Sequence, residues 1–255
     1  MIRLKPRLKT AADMVRDGSR VADIGTDHAY LPTALILSGK IPSAVAADLR
    51  KGPLENAEET VRSNHIEDRV QLRLSDGLKC VSPDDADDIV IAGMGGILIS
   101  EILTNAEWIK NKKYKLILQP QSHDEDVRRY LFTNGFEITD EEVCFEDGKV
   151  YICIGAVYTG SVTSHSEAEI MFGSILKRND ETALAFKEKK LKRIEARLSA
   201  LNAHGGDEAE KTALMSIIKE VGKWQRERIF TIISTVLLPL TRRRTGTTAV
   251  CLSAI

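Results

Sequence analysis

Short β-branched runs alternate with helical patterns from about residue 20 to residue 160, and this alternation restricts the fold more than any other feature of the chain. Such alternation is typical of βαβ units built around a parallel sheet. Strands are predicted at residues 20–24, 44–48, 70–74, 88–92 and 115–119. Helices are predicted near residues 29–39, 52–63, 95–109 and 124–134. Together these elements predict a doubly wound α/β sheet.

The segment that closes this region has a different pattern. Two strand patterns, at 136–145 and 150–158, flank Glu146-Asp147-Gly148-Lys149, and Asp-Gly is a strong signal for a hairpin turn. Five parallel strands followed by an antiparallel hairpin are typical of the Rossmann-like sheet of class I methyltransferases, whereas the ordinary dinucleotide-binding variant keeps its sixth strand parallel. This α/β domain is expected to span residues 1–160.

A polar linker after Thr159 leads into two long helical patterns. The first repeats with the a/d spacing of a heptad at Leu184, Leu191, Ile194, Leu198 and Leu201. The second continues the apolar stripe at Leu214, Ile217, Ile218, Val221, Trp224 and Gln225. We therefore expect an antiparallel coiled-coil helical hairpin over residues 165–235 and a disordered tail over residues 236–255.

The net charge of −1 hides an asymmetry along the chain. Residues 1–164 hold 20 Lys and Arg against 26 Asp and Glu, whereas residues 165–255 hold 16 against 11, a balance of +5. A second basic cluster, formed by Arg3, Lys5, Arg7 and Lys9, opens the chain. Basic segments of this kind favour a polyanionic partner, although scattered charge on a solvated helix face has the same appearance.

Neither end of the chain carries a membrane or export signal. The N-terminus has positive charge without an apolar stretch, and the most apolar late segment, 229–240, is about half the length of a membrane span. Four cysteines lie far apart, with no Cys-x-x-Cys pair and no nearby histidine, so no metal site is expected. We expect a cytoplasmic protein with no membrane partner.

The turn after the first predicted strand carries the most informative motif. In open α/β sheets ligands bind beyond the carboxyl ends of the strands, where the strand order reverses. Here Asp23 and Asp27 surround Gly25, and the further glycines of a dinucleotide fingerprint are absent. Carboxylates repel phosphate and suit a cationic ligand. S-adenosylmethionine carries a sulfonium and an ammonium, so it fits this turn better than NAD does.

Two further strand ends carry acids. Asp48 closes the second strand, where a carboxylate commonly accepts hydrogen bonds from ribose hydroxyls. Asp76-Gly77 follows the third strand, where an acid can bind an adenine amino group. A single aspartate at such a place is more often a cap or turn residue. Several acids in register favour a cofactor site.

The fourth strand ends in Ile91-Ala92-Gly93-Met94-Gly95-Gly96, beside the expected position of the cofactor methyl group. Its glycines would let a planar base approach the backbone, although a flexible turn has the same composition. The Asn/Asp-Pro-Pro-aromatic motif of enzymes that methylate exocyclic amines is absent, which disfavours N6 of adenine as the acceptor. Gln119-Pro120-Gln121 adds polar groups after the fifth strand.

Four motifs together resemble the bacterial TrmK family, over roughly residues 3–235. They are Asp23-Ile-Gly-Thr-Asp-His-Ala-Tyr-Leu-Pro32, Ser75-Asp-Gly-Leu78, Ile91-Ala-Gly-Met-Gly-Gly96 and Leu118-Gln-Pro120. The tail after Val236 does not share the resemblance. The resemblance implies an enzyme that uses S-adenosyl-L-methionine to methylate N1 of adenine 22 in tRNA, with tRNA as its partner. The oligomeric state does not follow from the sequence, and a monomer is favoured.

The resemblance also implies site residues. Those expected to bind the cofactor are Asp23, Gly25, Asp27, His28, Asp48, Asp76, Gly77, Ala92 and Gly93. Those expected at the methyl transfer itself are Arg7, His28, Tyr30, Gly93 and Met94. Adenine N1 has an in-plane lone pair and needs alignment more than deprotonation. Tyr30 or His28 would stack on or orient the base, and Arg7 would hold a phosphate or the target nucleotide.

Three alternatives remain open at this point. A methyltransferase for another RNA base or for a small molecule would share the cofactor site without needing the basic appendage. A catalytically silent RNA-binding or scaffold protein would keep the fold and use the coiled coil to dimerise. NAD-dependent oxidoreduction is the weakest, because the turn lacks the phosphate-binding glycines.

Overall fold

A computed structural model describes the backbone of residues 2–232 and the side chains of residues 2–222. Its strands are β1 (Val21–Ile24), β2 (Ala44–Asp48), β3 (Val70–Leu74), β4 (Asp88–Gly95), β5 (Lys115–Ser122), β6 (Phe136–Glu146) and β7 (Lys149–Tyr158). They form one sheet in the order β3-β2-β1-β4-β5-β7-β6. The first five run parallel, whereas β7 runs antiparallel to both β5 and β6. This arrangement confirms the predicted sheet and its closing hairpin.

Helices flank the sheet and extend beyond it. They are α1 (Pro6–Met14), α2 (Tyr30–Leu37), α3 (Lys51–Ser63), α4 (Gly96–Thr104), α5 (Asp124–Thr133), α6 (Glu167–Phe172), α7 (Glu181–His204) and α8 (Glu208–Ile232). Short 3-10 helices occupy Glu107–Ile109 and Gly173–Lys177.

Helix α1 was not predicted, because its residues were interpreted only as a charge cluster. Its proline stands in the first turn, where the missing N–H costs nothing, and one face is buried through Ala11, Ala12 and Met14.

Burial explains why the central strands lack an alternating pattern. Every residue of β1 and β2 is buried, since helices cover both faces of a parallel sheet. The strand order reverses between β1 and β4, which are neighbours although β2 and β3 lie between them in sequence. The turns that follow β1 and β4 therefore diverge to opposite sides and open a crevice at the carboxyl edge.

A buried ion network joins α5 to β6 and α7. Arg128 is fully buried; its Nη1 donates to Asp124 at 2.6 Å and its Nε donates to Glu141 at 2.7 Å. Lys190 lies 2.9 Å from the same Asp124 carboxylate and 2.8 Å from Glu125. Buried charges persist only when they are paired and hydrogen-bonded, so each member of this network requires the others.

The chain divides into two compact units, Met1–Arg193 and the residues from Ile194 onward. Predicted seam residues are buried in the second unit at Ile194, Leu201, Ile217 and Val221. The prediction is wrong at Leu184, which is 49% exposed, because α7 buries Ala183 and Phe186 at this point instead. The side chains of Trp224 and Gln225 and the tail 236–255 lie outside the described residues. The predicted domain limits stay predictions.

Within residues 2–232, no helix combines the length and apolarity that crossing a membrane requires.

Replacing Arg128 with methionine should lower the free energy of unfolding by about 3–5 kcal/mol, because Glu141 would keep a buried charge without its cation and Asp124 would keep only Lys190. The matched control is Arg129→Met on the same helix. Arg129 pairs with Glu167 at 2.8 Å, but both side chains are 48% exposed, so its loss should cost about 0–1 kcal/mol. Urea unfolding of both variants measures the difference. Equal losses would contradict a stabilising role for the buried network.

Candidate active site

A cavity of about 410 Å³ opens at the carboxyl ends of β1 and β4. It brings together eight of the residues predicted for the site, namely Arg7, Asp23, Gly25, Asp27, His28, Tyr30, Ala92 and Gly93. Residues that were not predicted for the site also line it, namely Leu8, Thr26, Ala29, Leu31, Arg50 and Gln121. The topological crevice and the sequence motifs therefore meet in one place.

Four predicted residues do not line this cavity. Asp76 lies in a separate cavity of about 160 Å³, where its carboxylate pairs with Lys79 at 2.5 Å. Gly77 has a φ of +59° and packs against Ile102. Asp48 is buried at the end of β2, and Met94 packs beneath the turn after β1.

Asp23 is a buried carboxylate that lacks a cation. It is 7% exposed, and burial raises its pKa to about 6, although a hydrogen bond with Thr26 acts in the opposite direction and the nearby Asp48 adds to the rise. No lysine or arginine in the described part of the chain forms an ion pair with it. An anion held this way in a cavity wall is suited to a ligand that brings its own positive charge.

The turn after β1 depends on Gly25. Its φ of +79° lies in the left-handed region, and a Cβ at this position would overlap the terminal methyl of Met94. Met94 therefore supports the floor of the turn from the end of β4. The role at the methyl transfer that the sequence suggests for Met94 stays a prediction.

The segment after β2 adds residues that the sequence reasoning missed. Asp48 accepts a hydrogen bond from the backbone N–H of Arg50 at 2.8 Å, and Arg50 lines the cavity. Leu49 between them is 65% exposed, which presents apolar surface beside the polar groups. In the sequence, Leu49 and Arg50 could have been recognised as site residues by their position directly after Asp48, the acid that ends the buried strand β2.

His28 and Tyr30 form a stacked pair at the cavity. Their ring centroids are 4.9 Å apart and their planes differ by 6°. Ala29 between them has a φ of +50°, and its N–H donates to Thr26 Oγ1 at 3.1 Å. Tyr30 is 44% exposed, so an aromatic face is available to a planar ligand.

The opposite wall contains Gly93 and Arg7. The Gly93 N–H donates to Gln119 Oε1 at 3.1 Å, and Arg7 Nη1 donates to the same oxygen at 3.4 Å. The Arg7 backbone N–H donates to Glu146 Oε2 at 2.9 Å, and its guanidinium lies 5.4 Å from the Tyr151 ring centroid. The roles of Glu146 and Tyr151 had no local signal, because they depend on contacts across the whole domain.

The fold and this cavity define a Rossmann-like methyltransferase domain. A family model described as a methyltransferase domain matches residues 4–154. The tRNA (adenine(22)-N(1))-methyltransferase of Bacillus subtilis is 38% identical over 150 residues, which are 59% of this chain and 63% of that relative. The chain belongs to the TrmK family of methyltransferases.

Solved structures agree with this assignment. The B. subtilis m1A22 tRNA methyltransferase TrmK superposes with a TM-score of 0.77 at 28% identity, covering 89% of this chain and 99% of that one. Streptococcus pneumoniae Sp1610, solved in complex with S-adenosyl-L-methionine, gives a TM-score of 0.74 at 30% identity, with coverages of 86% and 97%. The likeness therefore extends beyond the α/β domain, whereas the curated sequence match spans less than two thirds of its relative.

Replacing Asp23 with asparagine should stabilise the fold above pH 6, because the wild-type carboxylate is charged and buried there. The pKa of Asp23 in the fold, about 6, exceeds its ordinary value of 3.8, so its contribution is most favourable below about pH 4 and is lost as the pH rises through 6. The loss is on the order of 3 kcal/mol. Urea unfolding of both proteins between pH 4 and 8 measures this, and a pH-independent difference would contradict it.

Proposed function

We propose that this chain transfers the methyl group of S-adenosylmethionine to N1 of adenine 22 in tRNA. The buried Asp23 carboxylate without a cation, in a cavity beside Gly25 and Gly93, is the observation that carries the proposal. The names of its relatives support it: B. subtilis TrmK is an m1A22 tRNA methyltransferase, and Sp1610 was solved with S-adenosyl-L-methionine.

The cofactor supplies an electrophilic methyl group when it is bound. Asp23 would provide the negative charge that its cationic part requires, and Asp48 would accept hydrogen bonds from ribose hydroxyls. Asp76 and Gly77 follow β3 and would meet the adenine ring, while Asp27 and His28 complete the turn. Ala92 and Gly93 form the wall beside the transferred methyl group, and Gly25 keeps the turn free of a side chain.

The acceptor side of the cavity needs geometry more than base catalysis. Adenine N1 attacks with its own lone pair, so the chain must hold the base in line with the methyl group and exclude water. The target base must first leave its stack, at a cost of roughly a few kcal/mol. The stacked His28 and Tyr30 rings offer an aromatic face for it, and Gly93 permits close approach. Arg7 provides a cation for the phosphate or nucleotide.

Contacts with the rest of the tRNA would come from basic surfaces outside the cavity. Arg3, Lys5 and Lys9 lie at or next to α1, and α7 carries exposed Lys189, Lys192, Arg193 and Arg197. Such cations contact phosphates and set the register of the RNA without determining the methylated base. The same proposal places the enzyme in the cytoplasm, where it acts as a monomer.

The proposed reaction is tested with labelled S-adenosylmethionine and an unmodified tRNA transcript that has adenine at position 22. Label should appear as N1-methyladenosine after nucleoside analysis, because adenine N1 has a lone pair and needs only to be aligned with the methyl group. A transcript with guanine at position 22 is the matched control and should accept no label. Label in N6-methyladenosine, or equal labelling of both transcripts, would contradict the proposal.

Replacing Lys189 and Lys192 with glutamine should weaken tRNA binding and flatten its salt dependence. Each lost phosphate contact lowers the slope of log affinity against log salt by about 0.9. Lys112→Gln is the control, because this exposed lysine lies at the amino end of β5, on the edge of the sheet opposite the cavity. Binding measured between about 50 and 200 mM salt decides the outcome. An unchanged slope in the variant with both α7 lysines replaced would show that these lysines do not contact tRNA phosphates.

A further inference from the structure

Gln119 is a buried polar side chain with both ends of its carboxamide engaged. It is 1% exposed and lies near the end of β5. Its Oε1 accepts from the Gly93 N–H at 3.1 Å and from Arg7 Nη1 at 3.4 Å. Its Nε2 donates to the Pro120 carbonyl oxygen at 3.0 Å. One carboxamide thus connects β4, β5 and α1 behind the cavity wall.

The need for this side chain arises from an irregularity in the sheet. Ala92 pairs with Gln119 and Met94 pairs with Pro120, so the register shifts and Gly93 is an extra residue without a partner on β5. A β-bulge of this kind leaves a backbone amide outside the ladder. A buried N–H without an acceptor costs about 1–3 kcal/mol. Gln119 supplies the acceptor and so fixes Gly93 at its φ of +81°.

Arg7 depends on the same oxygen. A Cβ at Gly93 would lie 3.4 Å from Arg7 Nη1, so the guanidinium borders the bulge directly. Arg7 Nε is buried without a hydrogen-bond partner among the described residues, and the nearest Glu146 carboxylate oxygen is 3.6 Å away. The hydrogen bond to Gln119 therefore helps to hold the guanidinium at the cavity, together with the ion pair to Glu146 and the Tyr151 ring.

We propose that Gln119 is a positioning residue for methyl transfer, because its carboxamide oxygen holds both the bulged Gly93 wall and the Arg7 guanidinium. This role rests on the proposed function. Gln119 does not line the cavity; it acts through Arg7 and Gly93, the two residues that do. Asp23 and Gly25, on the cofactor side, make no hydrogen bond with it.

The chemistry of the amide also explains why glutamate would be a poor substitute. A carboxylate could accept from Gly93 and Arg7, but its second oxygen would face the Pro120 carbonyl oxygen without a proton to donate. It would also neutralise the positive charge of Arg7. Methionine fills a similar volume but leaves the Gly93 N–H without an acceptor.

The test compares full-length wild type, Gln119→Met and Gln119→Glu in the methylation of the adenine-22 transcript, together with titration of S-adenosylmethionine binding. Both variants should lower kcat by about 10 to 100-fold, as expected for misplaced reacting groups, while the Kd for the cofactor stays within about threefold. Gln71→Met is the control, because this exposed glutamine lies on β3 and should keep wild-type kcat.

A second readout separates positioning from a general loss of structure. The loss caused by Arg7→Met should be smaller in the Gln119→Met background than in wild type, because both changes release the same guanidinium. Wild-type kcat in both Gln119 variants, losses in cofactor affinity as large as those in kcat, or fully multiplicative effects would each overturn the role of Gln119. Absence of methylation by the wild-type protein would overturn the proposed function itself, and this role with it.

Discussion

The burial of one carboxylate without a cation is the constraint on which the site depends. Asp23 lies in β1, the strand at which the sheet reverses its order, and the helices on both faces keep water away from it. A charge in that position destabilises the fold unless something neutralises it. The side chains of residues 2–222 supply a hydrogen bond from Thr26 and no ion pair. The protein alone is therefore strained electrostatically at the point where a cationic ligand would relieve it.

The two walls of the cavity have opposite electrostatic character. The turn after β1 is acidic, with Asp23 and Asp27, whereas the wall around Gly93 presents Arg7. This separation matches a reaction between a cationic methyl donor and a polyanionic acceptor, since each wall favours one reactant and disfavours the other. Charge alone would not select a base; under the proposed function that selection would depend on the space beside Gly93 and on the stacked rings of His28 and Tyr30.

Much of this architecture could be predicted from the sequence, and the exceptions are features that tertiary packing decides. Strands β1 to β5 were predictable because each is a short segment rich in aliphatic residues between turn signals, and the hairpin because Asp147-Gly148 marks its turn. Helix α1 was missed because its residues were interpreted only as a charge cluster, and the Glu146 carboxylate that accepts the Arg7 N–H lies 139 positions away in sequence. Leu184 followed a heptad count that the packing around Phe186 overrides. The motif residues, Gln119 among them, were visible locally, whereas the contacts that they make with distant residues such as Arg7 were not.

The hydrogen bond between Arg7 and Glu146 joins residues that are 139 positions apart in sequence. The ribosome adds Arg7 long before Glu146, which is the last residue of the sixth strand, so a growing chain holds Arg7 and the acidic turn before it holds the acceptor of the Arg7 N–H. The contact that fixes the start of helix α1 therefore cannot form until strand β6 has been made.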